Sequence, residues 1–358
     1  KVNVIRTNQN SSSTLSKIAD FTGLDVTKMR VKSPRYVGGS SNIKENGLKD
    51  LEFAVTLAKI TGRPVGVFLG KEEQFLQYHK ERMSAQYKIG VKKDGTLMAV
   101  EGSATGDGTA YNYTAAAAYC ASRICYTAFA PNLKFEKINT AFTNVPPGGG
   151  CRGWIYQEAE WTFAIGLQQA IEAIDMDPFD FYMKNTIKNG TVLYQDKYIE
   201  CTCDPITVAA TQAAQAFDWK SKWKGWKTPT SVSGSKIRAV GVGWGGNGNG
   251  NATPHFATVT LSNNGTVTIT PSEDEMGNGN RSNPWRHAAE VLKIPLESVK
   301  GPEGDTDSQP FYAWPVACGT FSLGRAITRA AEDARRQLFE LAAPKMGVTA
   351  QELDTQDR

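Results

Sequence analysis

The amino-acid sequence predicts an α+β fold, with mixed sheets and helices in two units that part near residue 230. Three observations carry this reading. Runs that are apolar at alternate positions are interspersed with runs whose apolar residues recur at helical spacing. Two hairpins are marked by their turn residues, Asp94-Gly95 in "QYKIGVKKDGTLMAVEGSATGDG" and Asn264-Gly265 in "TVTLSNNGTVTIT". A Lys/Trp/Ser stretch then separates the two series, so the expected boundaries are 1–190, a connecting region 191–235, and 236–358.

In chain order, "KVNVIRT" reads as a strand and "SSSTLSKIADFTGL" as a helix with Ser/Thr capping candidates and Leu15, Ile18, Ala19 and Leu24 at helical spacing. "KMRVKS" is a second strand. A helix follows through "LKDLEFAVTLAKITG", ended by Gly62 and Arg63-Pro64, and "PVGVFL" reads as an apolar strand. After the first hairpin, "TAAAAYCASRICY" suits a helix or a packed loop. "VPPGGGCRG" is a turn that two prolines stiffen and three glycines free. The next helix carries Trp161, Ile165, Gln168, Ile171 and Ile174 on one side. "DMDPFDFYMKNTIKNG" reads as a capped helix ending at Gly190, and "DPITVAATQAAQAF" as another. The second unit opens at "IRAVGVGWGG" and continues through the second hairpin, a Gly/Asn-rich loop, a helix over 285–293, and the final helix "AITRAAEDARRQLFELAA".

At 358 residues the chain can bury a sizeable core, and 40% apolar with 21% charged residues is ordinary for a soluble globular protein. The net charge of +4 is small, and "KSKWKGWK" is the sole clustered basic run. Its Lys–Trp alternation could serve single-stranded nucleic acid, but without a second basic patch a linker with aromatic packing is the better reading. No apolar run reaches the ~18 residues a membrane span needs. The first residue is Lys1 with no signal-peptide pattern, which reads as a start within a gene or after processing. The six cysteines form no CxxC, and Cys120 and Cys125 lack the third ligand of a ferredoxin-type cluster. His79, His255 and His287 stand at unrelated spacings, which argues against zinc. Scattered thiols point to a reducing, cytoplasmic setting.

The loop "SEDEMGNGNRSN" (Ser272 to Asn283) raises the question of a ligand. No Lys follows Gly279 as a Walker phosphate loop requires, and the acids are bunched before the glycines rather than alternating as calcium requires. The remaining choice is an ordinary loop with glycines at unusual angles, or a site of another kind. Two further loops, "RTNQN" and "CRGW", are also polar or Gly-rich turns, the kind of place where ligands bind.

Six short motifs now fall in order: "TNQ" (Thr7 to Gln9), "VGGSSNIK" (Val37 to Lys44), "TGRPV" (Thr61 to Val65), "GCRG" (Gly150 to Gly153), "EMGNG" (Glu275 to Gly279) and "VACGTFSLG" (Val316 to Gly324). In order and approximate spacing over nearly the whole chain, the sequence resembles the molybdenum-binding (molybdopterin) large subunit of the xanthine dehydrogenase and aldehyde oxidase family of molybdenum hydroxylases, partial or split. The resemblance implies two molybdopterin-binding units of mixed sheets and helices. It implies a molybdenum–molybdopterin cofactor, the cytosine dinucleotide form included, with [2Fe-2S] and FAD on partner subunits.

Carried over by position, Gln9 stands where the family's Gln donates toward an oxygen ligand of molybdenum. Arg152 stands where an Arg approaches metal and pterin. Asn278 replaces a Gln and, with Gly277 and Gly279, would bond the pterin through amide groups and exposed backbone. Gly39, Ser40 and Ser41 fall in the family's Gly-rich loop, and Ala317 and Cys318 where small residues admit the pterin. Taken alone, Gln9 could instead cap the following helix, Arg152 could pair with Glu158 or Glu160, and Trp154 could be core or the wall of a substrate pocket. The run at 247–251 reads as a surface loop.

Two departures change what the resemblance implies. The family loop "GGGFGGKE" keeps only Gly38 and Gly39 here, its aromatic is absent, and Lys44 occupies the place of the acid. A cation there favours an anionic substrate, such as an aromatic or N-heterocyclic acid. The family's general-base Glu comes from a turn beyond the last helix seen here, so the catalytic base is expected outside this chain, on other polypeptide. The final helix sets Ala326, Ile327, Ala330, Ala334, Leu338 and Leu341 along one face, an expected partner surface. The function so implied is oxidation of an aromatic, N-heterocyclic or aldehyde substrate with water as oxygen source. The alternatives are a non-catalytic scaffold subunit and a non-redox hydratase.

Overall fold

The computed structural model describes residues 1–39, 49–110, 117, 120–146, 153, 156–193, 201–202, 204–246, 254–309 and 319–355. In chain order the elements are β1 (Val2–Ile5), α1 (Ser11–Thr22), β2 (Met29–Ser33), α2 (Lys49–Thr61), α3 (Lys71–Gln77), β3 (Met83–Val91), β4 (Leu97–Asp107), α4 (Cys120–Arg123) and β5 (Asn132–Ala141). There follow α5 (Tyr156–Ala173), α6 (Pro178–Asn185), α7 (Pro205–Phe217), α8 (Trp219–Lys222), β6 (Ser231–Ser233) and β7 (Lys236–Arg238). The last are β8 (Ala257–Leu261), β9 (Val267–Pro271), α9 (Asn283–Leu292), β10 (Val299–Lys300), β11 (Gly304–Asp305) and α10 (Gly324–Met346). Small mixed sheets alternate with helices, an α+β architecture.

Packing divides the chain into two compact units, Lys1–Gln74 with Asn249–Arg358, and Phe75–Gly248. The first unit is discontinuous. Its sheet β1-β2-β11 pairs β1 parallel to β2, with α1 as the crossover, and β11 antiparallel to β2 with Gly304 opposite Ser33. Its second sheet, β10-β9-β8, is the Asn264-Gly265 hairpin plus a short parallel strand. One core joins Val4, Ile18, Met29, Val31, Leu51 and Val55. The other joins Val267, Ile269, Trp285, Leu292, Leu323 and Ile327.

The contiguous unit is built on β3-β4-β5, the Asp94-Gly95 hairpin with β5 parallel to β4. Its core sets Leu97, Val100 and Ala104 of β4 against Phe163, Leu167 and Ile171 of α5 and Phe181 and Tyr182 of α6. Tyr182 stacks on Trp244 with ring centroids 5.5 Å apart, and Trp219 on Trp223 at the same distance. The Trp219 and Trp226 indole N–H groups donate to Asp177 and to the Met176 carbonyl. The Lys/Trp run is thus aromatic packing.

Several local expectations are corrected. Residues 64–69 form no strand, since no ladder partner lies among the described residues. The run 132–141, passed over in the sequence, is β5, and Gly102 makes room for its Phe135 ring. The buried face of α5 is Ala159, Phe163, Leu167 and Ile171, whereas Trp161 and Ile165 are exposed. Helix α6 stops at Asn185 rather than Gly190, because the Asn185 side chain turns back to Leu97 N–H and to the Gly95 and Phe181 carbonyls at 2.8–2.9 Å. Finally, α10 already buries Ile327 and Ala331 against α9 and β8, leaving only Leu338 and Leu341 of the expected partner face exposed.

Candidate functional site

Strand β9 alternates buried and half-buried positions as far as Pro271, and then the chain turns inward. Ser272, Glu273, Asp274, Met276 and Asn280 are all buried. Carboxylates taken out of water need partners, and here they find them in backbone and in cations. Glu275 accepts the N–H of Gly277 at 2.7 Å and of Gly279 at 3.1 Å on one oxygen, and the N–H of Arg281 at 3.0 Å on the other. The loop wraps its amides around its own carboxylate. That wrapping requires the left-handed region at Gly277 (φ 87°) and Gly279 (φ 84°), which glycine enters without penalty. The N–H groups of both glycines therefore face Glu275, and the group at the exposed tip is Asn278.

Three other segments of the same unit meet this loop. The first is the turn between β1 and α1, where Asn8, Gln9, Asn10, Ser11 and Ser12 are all buried. Asn10, not Gln9, caps α1, its side chain accepting the Ser13 N–H at 2.8 Å, so the capping reading of Gln9 gives way. The Asp274 carboxylate accepts the Ser11 N–H at 2.6 Å, across 263 positions of sequence. The second is Gly38-Gly39 after β2: a Cβ placed on Gly277 would lie 2.2 Å from the Gly38 carbonyl oxygen. The third is Gly319, which opens a π-helical turn (Gly319–Leu323) before α10. A Cβ there would lie 1.8 Å from Asn280 Oδ1, while Asn280 Nδ2 donates to the Asp274 carbonyl at 3.1 Å.

Of the residues expected from sequence, Gln9, Gly39, Gly277, Asn278 and Gly279 stand on these converging segments. Ser40, Ser41, Lys44, Arg152, Trp154, Ala317 and Cys318, and the run 247–251, lie outside the described residues. Of the two acids named beside Arg152, Glu158 lies 2.5 Å from Lys80 and Glu160 accepts the Gly246 N–H at 3.3 Å. Asp274, Glu275, Asn280 and Arg281 were missed. The signal was there: three consecutive acids directly after a strand, with no helix to solvate them.

The electrostatics look inward. Burial pushes the Glu273 carboxyl up, and the His255 ring 3.2 Å away draws it partly back. Burial lowers the Arg281 guanidinium, and the surrounding acids, Asp274 first, oppose that shift. Arg281 donates to the Pro302 carbonyl at 2.9 Å and lies 3.6 Å from Asp274. These charges brace backbone. At its exposed tip the loop presents the Asn278 carboxamide, while Gln9 belongs to the buried turn before α1. The carboxamides of Gln9 and Asn278 are groups of a kind that suits the hydrogen-bonding edge of a pterin. Among the described residues no helix is long and apolar enough to cross a membrane.

Family models for the molybdopterin cofactor-binding domain match residues 1–186 and 212–358. The xanthine dehydrogenase molybdenum-binding subunit of Escherichia coli O157:H7 is 24% identical over 77% of this chain and 37% of its own length. The xanthine dehydrogenase/oxidase of Mus musculus is 25% identical over 92% of this chain and 25% of its own. Among solved structures, quinoline 2-oxidoreductase from Pseudomonas putida superposes with a TM-score of 0.77 at 19% identity, over 99% of this chain and 47% of that one. The aldehyde oxidoreductase of Desulfovibrio desulfuricans gives 0.78 at 20%, over 98% and 38%. The chain thus spans less than half the length of each. Two matched domains over most of the sequence place this chain in the molybdopterin cofactor-binding domain family, and its fold is that of these oxidoreductases.

Proposed function

We propose that the chain is the cofactor-holding part of a molybdenum hydroxylase that oxidises an aromatic, N-heterocyclic or aldehyde substrate with water as oxygen source. The observation that carries the reading is the convergence of Gln9, Gly38-Gly39, the 272–281 loop and Gly319 in one unit. When bound, the molybdenum–molybdopterin group supplies a two-electron redox centre. Gln9 then offers a buried carboxamide donor and Asn278 an exposed one, while Gly277 and Gly279, their N–H groups turned to Glu275, shape the loop that carries Asn278, and Gly39 leaves room for the ring. Ser40, Ser41, Arg152, Ala317 and Cys318 complete the cradle on the strength of their motifs alone. Lys44 and Trp154 line the substrate side, and a cationic Lys44 selects an anionic ring. The cytosine dinucleotide form of the cofactor, a general-base Glu on other polypeptide, [2Fe-2S] and FAD partner subunits, and a cytoplasmic setting belong to the same proposal.

The test is metal and pterin analysis of the native assembly, with about one molybdenum per chain and a fluorescent pterin released on denaturation expected. Absence of both selects the scaffold reading. Gln9→Ala should then lower dye-linked turnover of aldehydes and N-heterocycles by about 10²–10³-fold, the usual cost of one preorganised donor, with pterin still bound. Turnover that needs no electron acceptor would select a hydratase instead.

A further inference from the structure

The first turn of α1 holds no acidic residue, and its N-cap Asn10 accepts the Ser13 N–H. The Ser11 N–H, one of the donors a helix start leaves without an internal partner, is taken by Asp274 at 2.6 Å. The same carboxylate puts a negative charge at the helix N-terminus, where the backbone dipoles favour it. It is 1% exposed, and its second oxygen accepts no hydrogen bond among the described residues, lying 3.6 Å from the Arg281 guanidinium. Gly304 of β11 makes room for that oxygen, since a Cβ there would stand 2.3 Å away. One buried carboxylate thus touches the start of α1, the edge strand of the β1-β2-β11 sheet, and the loop that carries Asn278. Gln9 stands two residues before the amide that Asp274 holds.

We infer that Asp274 is a positioning residue: through the Ser11 N–H it sets where the Gln9 carboxamide stands, and so ties the Gln9 turn to the Asn278 loop as one rigid cradle. The inference rests on the cofactor reading above. A carboxylate that merely stabilised the fold could sit anywhere in the core. This one joins the two segments that carry the two carboxamides, and it holds a backbone amide directly. Asn280, bonded through Nδ2 to the Asp274 carbonyl, extends the tie to Gly319.

The experiment uses the native cofactor-loaded protein with Asp274→Asn, which keeps the shape and removes the charge. Gly304→Ala serves as a second variant, displacing the carboxylate without altering it. Amide hydrogen exchange by mass spectrometry over residues 8–14 should quicken about tenfold or more in both, as local opening becomes easier. The Mo(V) electron paramagnetic resonance signal of dithionite-reduced protein should shift in Asp274→Asn, and no further shift should appear when Asp274→Asn is added to Gln9→Ala, as expected for residues acting as one unit. Unchanged exchange in both variants overturns the inference, as does an equal shift in the Gln9→Ala background. Native protein without molybdenum or pterin overturns the cofactor reading itself and, with it, the role given to Gln9. Loaded protein with an unaltered signal overturns the inference alone.

Discussion

A side chain added at Gly277 meets backbone, and backbone cannot swing aside. Gly265, in the β8–β9 turn, has a similar positive φ of 80° but nothing within 4 Å of its would-be Cβ. Gly265→Ala should therefore lose only the left-handed strain, about 1–2 kcal/mol. Gly277→Ala should lose more than that in a denaturant melt, because its Cβ also collides with the Gly38 carbonyl, and released pterin should fall with it. Glu160 gives a different test. Burial lifts its carboxyl to about 7 from an ordinary 4.5, and among the described residues the Gly246 N–H opposes the shift. Between those values the folded state holds a proton that the unfolded state has lost, so stability is full below pH about 4.5 and declines until about 7. Glu160→Gln should flatten that decline in melts taken across the window. Neither effect is legible in sequence: the first depends on which backbone lies opposite, the second on which groups exclude water.

Among the elements, α5 shows what periodicity can and cannot deliver. Its helical character follows from spacing, but of the side named from the sequence the fold buries Ile171 and leaves Trp161 and Ile165 exposed. The sheet decided otherwise: Tyr87 of β3 meets Phe163 with centroids 5.3 Å apart, and Gly166 lets the helix approach Tyr87 and Ile89 closely. Phe163→Ala should cost about 3–5 kcal/mol in a chemical melt. Trp161→Gln should stay within about 0.5 kcal/mol, as exposed positions do. Helix α10 divides along its length in the same way, Ile327 packing in its own unit while Leu341 remains 71% exposed. Strand β5 was overlooked because its residues mix lysines with apolar side chains, and only a neighbour in register, Leu133 beside Val100, makes it a strand.

For the whole molecule, the telling fact is that residues 1–74 pack with residues 249–358. The β11 strand pairs with β2 across some 270 positions, and the Asp274–Ser11 bond spans a similar separation. If that unit opens cooperatively, Ile269→Ala, costing about 2–5 kcal/mol, should raise amide exchange in β1, α1 and β2 as well as in β8, α9 and α10. Exchange over β3 and β4 should change little. Equal loosening of all segments, or of the β8–β9 sheet alone, would contradict it.

The α+β class, both hairpins, and most helices followed from the sequence, because turn chemistry and apolar period are local properties read over a few residues. The family followed as well, because six motifs in order are still a one-dimensional pattern. Gln9 and the glycines around Asn278 were named that way, by type and position, and their role toward a cofactor remains the proposal made above. That Glu275 is the post around which the glycine loop winds, that Asn10 rather than Gln9 caps α1, and that Asp274 reaches Ser11 were all decided by tertiary structure. A carboxylate's role depends on which donors stand within about 3 Å once water is excluded. Three consecutive acids in a string give no sign of which amides will be brought to them from 263 residues away.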